Sequence, residues 1–93
     1  MELGLRGKAA LVTGGAGAIG GQIACRLSEE GCLVALADIA PSADGTEQAV
    51  AAHGGSSVYV PCDVRRSEDV DRMVRRALDT FGRIDILVNG AGV

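Results

Sequence analysis

Four short apolar runs separated by three segments of helical period decide what this chain can fold into. Residues 8–13 (K-A-A-L-V-T) lack polar alternation, as a strand buried on both faces does, residues 32–38 (C-L-V-A-L-A-D) are again nearly continuous apolar sequence, and residues 85–89 (D-I-L-V-N) supply a fourth strand. Residues 57–62 (S-V-Y-V-P-C) carry Val58, Tyr59 and Val60, which favour a strand. Pro61 implies that its pairing fails near the end. Between the runs the period changes. Ile19, Ile23 and Leu27 recur every four residues from Ala18 until Ser28-Glu29-Glu30, and Gly31 stands where a C′ glycine belongs. After Pro41-Ser42 an alanine-rich helix runs through Glu47 and Val50 to His53, whose imidazole is expected to meet the last carbonyls before Gly54-Gly55. Ser67 is the expected N-cap of the longest helix, with Glu68, Asp69 and Asp71 near its positive end and Arg75 and Arg76 toward the other. Its buried face reads Val70, Met73, Val74, Ala77, Leu78 and Phe81, and Gly82 ends it.

Strands alternating with helices imply parallel pairing through right-handed crossovers, so the predicted fold is β-α-β-α-β-α-β, an α/β half of a Rossmann-type doubly wound sheet. That fold puts strand one in the centre, strands two and three on one side and strand four on the other, and opens a crevice at the ends of strands one and four. Those ends are Thr13-Gly14-Gly15 and Asn89-Gly90-Ala91-Gly92, so two bare backbone segments face one cleft.

Composition narrows the partners. With 93 residues, 47% of them apolar, the chain fits one domain, residues 1–93. Nine Lys and Arg against twelve Asp and Glu leave a net charge of −3, which gives no field to gather a nucleic-acid backbone. The apolar runs fall short of the ~20 residues that span a bilayer, and residues 1–6 lack the apolar stretch of a signal peptide, so a cytoplasmic protein with no membrane partner is expected. Cys25, Cys32 and Cys62 are too far apart for a metal-ligand pair and read as reduced, structural thiols, with no metal site.

The segment Thr13-Gly14-Gly15-Ala16-Gly17-Ala18-Ile19-Gly20 joins a strand to a helix N-terminus, where unpaired N–H groups favour an anion. A diphosphate is the natural guest, because residues without bulk let the backbone reach its oxygens. Gly21 and Gln22 stand where a nucleoside triphosphatase needs lysine and a hydroxyl, which disfavours phosphate transfer. Asp38 lies 18 residues after Gly20, near the ~20-residue offset at which a carboxylate bonds the adenosine ribose hydroxyls. A 2′-phosphate would meet its like charge, and neither residues 14–20 nor 39–44 hold an Arg or Lys to neutralise it, so NAD is favoured over NADP. Ile39, the next residue, joins the cofactor-binding set.

The glycine loop, Asp38, Cys62-Asp63-Val64 and above all residues 81–92 (F-G-R-I-D-I-L-V-N-G-A-G) resemble the amino-terminal half of the short-chain dehydrogenase/reductase family, over essentially the whole chain. The resemblance implies that Gly14, Ala18, Ile19 and Gly20 hold the diphosphate, with Gly15 and Gly17 in the same loop. It implies further that Asp38 selects NAD, that Asp63 and Val64 border adenine, and that Asn89, Gly90, Ala91 and Gly92 line the nicotinamide side. Two departures stand out. Ala18 replaces the middle glycine of the family's Thr-Gly-x-x-x-Gly-x-Gly loop, and Gly90 replaces the second asparagine of its Asn-Asn-Ala-Gly segment, removing a hydrogen-bonding side chain and loosening the backbone. The loop also satisfies Gly-x-Gly-x-x-Gly and Gly-x-x-Gly-x-x-Gly, whereas residues 89–92 look like the simple alcohol and carbonyl oxidoreductases.

The activity implied is interconversion of a secondary alcohol and a ketone with NAD(H), using a Tyr-x-x-x-Lys pair and a serine as catalytic groups. No such pair occurs here: Tyr59 is followed four residues later by Asp63, so Tyr59 reads as core packing, and no catalytic residue is assigned. An edge strand at residues 85–89 with apolar Ile86, Leu87 and Val88 leads us to expect a truncated sequence, inactive alone. The full-length member is expected to form homo-oligomers. Two other readings remain: a noncatalytic dinucleotide-binding module, and the nucleotide-binding half of a methyltransferase or flavoprotein.

Overall fold

The four apolar runs become parallel strands and the periodic segments helices, in the order β1 (Ala9–Thr13), α1 (Ala18–Glu29), β2 (Leu33–Asp38), α2 (Asp44–Ala52), β3 (Ser57–Pro61), α3 (Ser67–Phe81) and β4 (Ile86–Asn89). The computed structural model describes residues 4–90. The sheet order is β3-β2-β1-β4, as a doubly wound half-fold requires. Register aligns the carboxyl ends of the strands: Thr13 pairs with Ala37 on one side and Asn89 on the other, and Asp38 pairs with Pro61. Whatever follows each strand is thereby delivered to one rim.

Side-chain alternation along the strands divides the core in two. Leu11, Ala35, Ala37 and Val60 pack with Met73 and Ala77 under α3, while Val12, Val34 and Leu36 pack with Ala24 and Ala43 on the face of α1 and α2. Leu11, Val12, Val34, Leu36 and Val50 are fully buried. Each contributes about 1.5–3 kcal/mol.

Several local expectations change in the folded chain. Pro61 stays in the ladder opposite Asp38, which an edge strand permits because its outer side needs no N–H partner. Ser67 is the first helical residue and Arg66 the cap, with no side-chain cap bond. The Asp63 N–H instead donates to Asp69 Oδ2 at 2.9 Å, which ties the incoming turn to the first turn of α3. Within the α3 stripe Met73 and Ala77 are buried and Val70, Val74 and Phe81 half-buried, but Leu78 is 44% exposed. It stands about 100° around the helix from Ala77, at the margin of the stripe. Ile19, in the first turn of α1, is 75% exposed. The His53 imidazole does not meet the carbonyls of its own helix; its Nε2 lies 3.4 Å from Glu29 Oε1 and so bridges to α1.

Candidate functional site

A cavity of about 600 Å³ opens at the carboxyl rim of the sheet. Gly14 and Gly17 line it from the glycine loop, Asp38 and Ile39 from the end of β2, Asp63, Val64 and Arg65 from the turn after β3, and Gly90 from the end of β4. Gly15, Ile19, Gly20 and Asn89 are not among the residues that line it, and Ala18 lines the neighbouring groove between α1 and α2. Ala91 and Gly92 lie outside the described residues.

The loop owes its path to close backbone contacts. Gly17 caps α1 with no side-chain bond, and the first turn carries no acidic residue, so the N–H groups of 18–20 point outward with the full positive end of the helix dipole. At Gly20 a Cβ would stand 2.1 Å from the Gly14 carbonyl oxygen, which is why the helix can start so near the strand only with glycine there. The Gly15 N–H donates to the Ala37 carbonyl at 3.1 Å, and the Gly15 carbonyl accepts the buried Thr46 hydroxyl at 2.7 Å. Gly90 is held rather than loosened. Its N–H lies 3.1 Å from Thr13 Oγ1 and 3.2 Å from the Thr13 carbonyl, and a Cβ would come within 2.8 Å of that carbonyl oxygen. Thr13 Oγ1 in turn lies 3.1 Å from Asn89 Oδ1, closing the seam between β1 and β4.

The Asp38 carboxylate joins two elements. Its Oδ2 accepts the Ala16 N–H of the glycine loop at 2.9 Å, and its Oδ1 accepts the Ala40 N–H at 3.1 Å. The carboxylate is thus fixed beside the loop, with further lone pairs facing the cavity.

On the opposite wall, Asp63 and Arg65 form a bidentate pair, Nε to Oδ1 at 2.9 Å and Nη2 to Oδ2 at 2.8 Å. Those side-chain bonds, then the Arg65 N–H at 3.0 Å, hold the Asp63 carboxyl at about 2. Burial, then the charge of Asp69, pushes the Cys62 thiol up, so it stands in the cavity wall as S–H and not as a nucleophilic thiolate.

Three contributors were not singled out for this site from sequence: Thr46, Arg65 and Tyr59. The Tyr59 ring packs against the core cluster of Val34 and Leu36 as expected, but its hydroxyl lies 3.0 Å from the Asp38 carbonyl and also meets the Ala40 carbonyl. The i, i+2 spacing of Asp63 and Arg65, and the i, i+4 spacing of Thr46 and Val50 on one helix face, were the available signals. Cys25, Cys32 and Cys62 are unpaired thiols, and among the described residues no group of three or more His, Cys, Asp and Glu gathers as a metal site. Nor is any helix among them long and apolar enough to cross a membrane.

Fold and site together define a dinucleotide-binding α/β unit of the doubly wound type. Residues 8–93 match the short chain dehydrogenase family, and the chain belongs to it, corresponding to its amino-terminal cofactor-binding region. The chain is 41% identical over 90 residues to tropinone reductase-like 1 of Erythroxylum coca, covering 96% of this chain and 32% of that protein. It is 43% identical over 88 residues to 3-hydroxyacyl-CoA dehydrogenase type-2 of Drosophila melanogaster, covering 95% and 34%. Among solved structures, NAD+-bound xylitol dehydrogenase superposes with a TM-score of 0.91 at 40% identity, covering 96% of this chain and 35% of that one. The chain therefore spans about a third of the length of the relatives it matches.

Proposed function

We propose that this chain is the NAD-binding part of a cytoplasmic, homo-oligomeric oxidoreductase that interconverts a secondary alcohol and a ketone, and that by itself it binds cofactor without turnover. The observation that carries the reading is Asp38, whose carboxylate shares one cavity with the glycine loop and is fixed against it through the Ala16 N–H. Bound dinucleotide would supply the hydride acceptor or donor. The chain's own residues do the rest. The first turn of α1, with Gly14, Ala18, Ile19 and Gly20, neutralises diphosphate, and Asp38 accepts from the two ribose hydroxyls while Ile39 flanks it. Asp63 and Val64 border adenine, and Asn89 and Gly90, continued by Ala91 and Gly92, line the nicotinamide side.

Preference for NAD over NADP follows from charge. A 2′-phosphate would face the Asp38 carboxylate, and Arg65, the cation lining this cavity, already has its Nε and Nη2 on the Asp63 carboxylate. The likeness to an NAD+-bound dehydrogenase supports the same choice. Binding without turnover is supported by the sequence, in which the single lysine, Lys8, and the single tyrosine, Tyr59, are 51 positions apart, and by the engagement of the Tyr59 hydroxyl with backbone.

Calorimetric titration with NAD, NADP, S-adenosylmethionine and FAD tests the reading. NAD is expected to bind tightest. Asp38→Ala should weaken NAD by at least about tenfold, since each hydrogen bond to a charged group contributes about 1.5–3 kcal/mol, and should abolish discrimination against NADP. Tighter binding of NADP, S-adenosylmethionine or FAD by the unaltered chain overturns it.

A further inference from the structure

Tyr59 does more than fill space. It stands on β3, across from Leu36 of β2, with its ring against the core cluster under α1 and α2. Phenylalanine would fill that volume as well. The hydroxyl runs on past the end of the sheet to the turn that follows β2, where it meets the carbonyls of Asp38 and Ala40. Burial, then the negative charge of Asp38, pushes the phenol up, which keeps the proton on oxygen and the group a donor.

The same turn is gripped from its other side. Asp38 Oδ1 accepts the Ala40 N–H, and Oδ2 accepts the Ala16 N–H. The phenol's single proton is therefore shared between two carbonyls of a three-residue turn whose only carboxylate lines the cofactor cavity. Tyr59 is not among the residues that line the cavity, and its hydroxyl is spent on the backbone of the turn that carries Asp38.

We infer that Tyr59 is a positioning residue for dinucleotide choice: its hydroxyl sets the direction of the Asp38 carboxylate and thereby the discrimination between a free and a phosphorylated ribose 2′-hydroxyl. The inference rests on the assignment of Asp38 to ribose recognition made above. With the hydroxyl removed, the turn can rotate and carry the carboxylate off its aim. NAD then loses its hydrogen bonds, while the 2′-phosphate of NADP loses a like charge that opposed it. Both changes move the ratio of affinities the same way, and a purely structural brace would weaken the two ligands equally.

The experiment compares the unaltered chain, Tyr59→Phe, Asp38→Ala and the double variant by calorimetry with NAD and NADP. Amide hydrogen exchange and thermal melting of the ligand-free proteins accompany it. Tyr59→Phe is expected to weaken NAD by about five- to tenfold, the loss of one neutral hydrogen bond, with NADP unchanged or tighter. In the ligand-free protein the Ala16 and Ala40 amides should exchange faster, because the carboxylate they share is no longer steadied. In the Asp38→Ala background, Tyr59→Phe should leave the NAD to NADP ratio where it was. The inference is overturned if Tyr59→Phe lowers the melting temperature while keeping the ratio, or if the ratio shifts as far without Asp38 as with it. An unaltered chain that shows no preference for NAD is a different failure, visible before any Tyr59 variant is made, and it removes the ribose assignment along with the inference.

Discussion

At Asp38 two separate demands meet under the proposed function, in which the carboxylate that holds the glycine loop by the Ala16 N–H would also present lone pairs to a ribose. The glycines beside it differ sharply in what they tolerate. A Cβ at Gly20 would meet the backbone of Gly14 at 2.1 Å, so strand end or helix must move, whereas a Cβ at Gly45 has nothing within 4 Å. Gly20→Ala is therefore expected to cost about 1–3 kcal/mol of stability and to abolish measurable NAD binding. Gly45→Ala, in α2, should raise stability by about 0.4–1 kcal/mol and leave binding alone. Chemical denaturation followed by titration of the two proteins checks both, and equal effects would contradict this account of the loop. The spacing of small residues and the offset to Asp38 were legible in sequence because both reflect contacts along one β-α-β unit. Tyr59, Thr46 and Arg65 were not assigned to the site because a side chain of ordinary type gives no sign that its partner is a turn carbonyl or a neighbour's carboxylate.

Among the elements, α3 separates what periodicity reveals from what it hides. The stripe was readable, and Met73 and Ala77 are indeed buried at its centre. Its margin was not. Leu78 fits the apolar series as well as Met73 does, but the helix turns it to solvent, because a wide stripe covers more arc than a flat sheet can bury. Met73→Ala should accordingly cost about 2–5 kcal/mol, while Leu78→Gln should stay within about 0.5 kcal/mol. Comparable losses in urea unfolding would show that Leu78 belongs to the core after all. The two ends of α3 diverge in the same way. Gly82 closes the helix at φ 77° with its N–H on the Leu78 carbonyl, and a glycine there is a strong stop signal. At the start, Ser67 looked like a cap, yet the chain enters through Asp63 and Asp69, whose bond spans six residues and follows no short motif. Gly82→Ala has open space around it and should lose only the backbone preference, about 1–2 kcal/mol.

Alternation implied parallel strands with right-handed crossovers, the doubly wound fold supplied their order, and the sheet came out as β3-β2-β1-β4. How the most distant segments are tied was not visible. Asp85 opens the approach to β4 and Ala9 opens β1, 76 residues apart, and the two exchange a pair of bonds: Ala9 N–H to Asp85 Oδ2 at 2.9 Å, and Asp85 N–H to the Ala9 carbonyl at 2.8 Å. Arg83 adds Nε to Oδ2 at 2.6 Å and Nη2 to Oδ1 at 2.8 Å. Those Arg83 bonds first, then the Ala9 N–H, hold the Asp85 carboxyl down to about 2. The consequence for acid stability has a definite sign. A carboxyl that binds its proton less readily folded than unfolded adds stability above its unfolded value, and that stability drains away as pH falls from about 4 through about 2. Asp63, held to about 2 by Arg65, works in the same window. Unfolding midpoints measured from neutral pH down to about pH 2 should therefore fall steeply in this window, and less steeply for Asp85→Asn, whose amide cannot take up the proton. The two proteins should differ most near neutral pH and converge at the acid end. A gap between them that stayed constant with pH would mean that the seam between β1 and β4 is held by packing and not by the charge on Asp85.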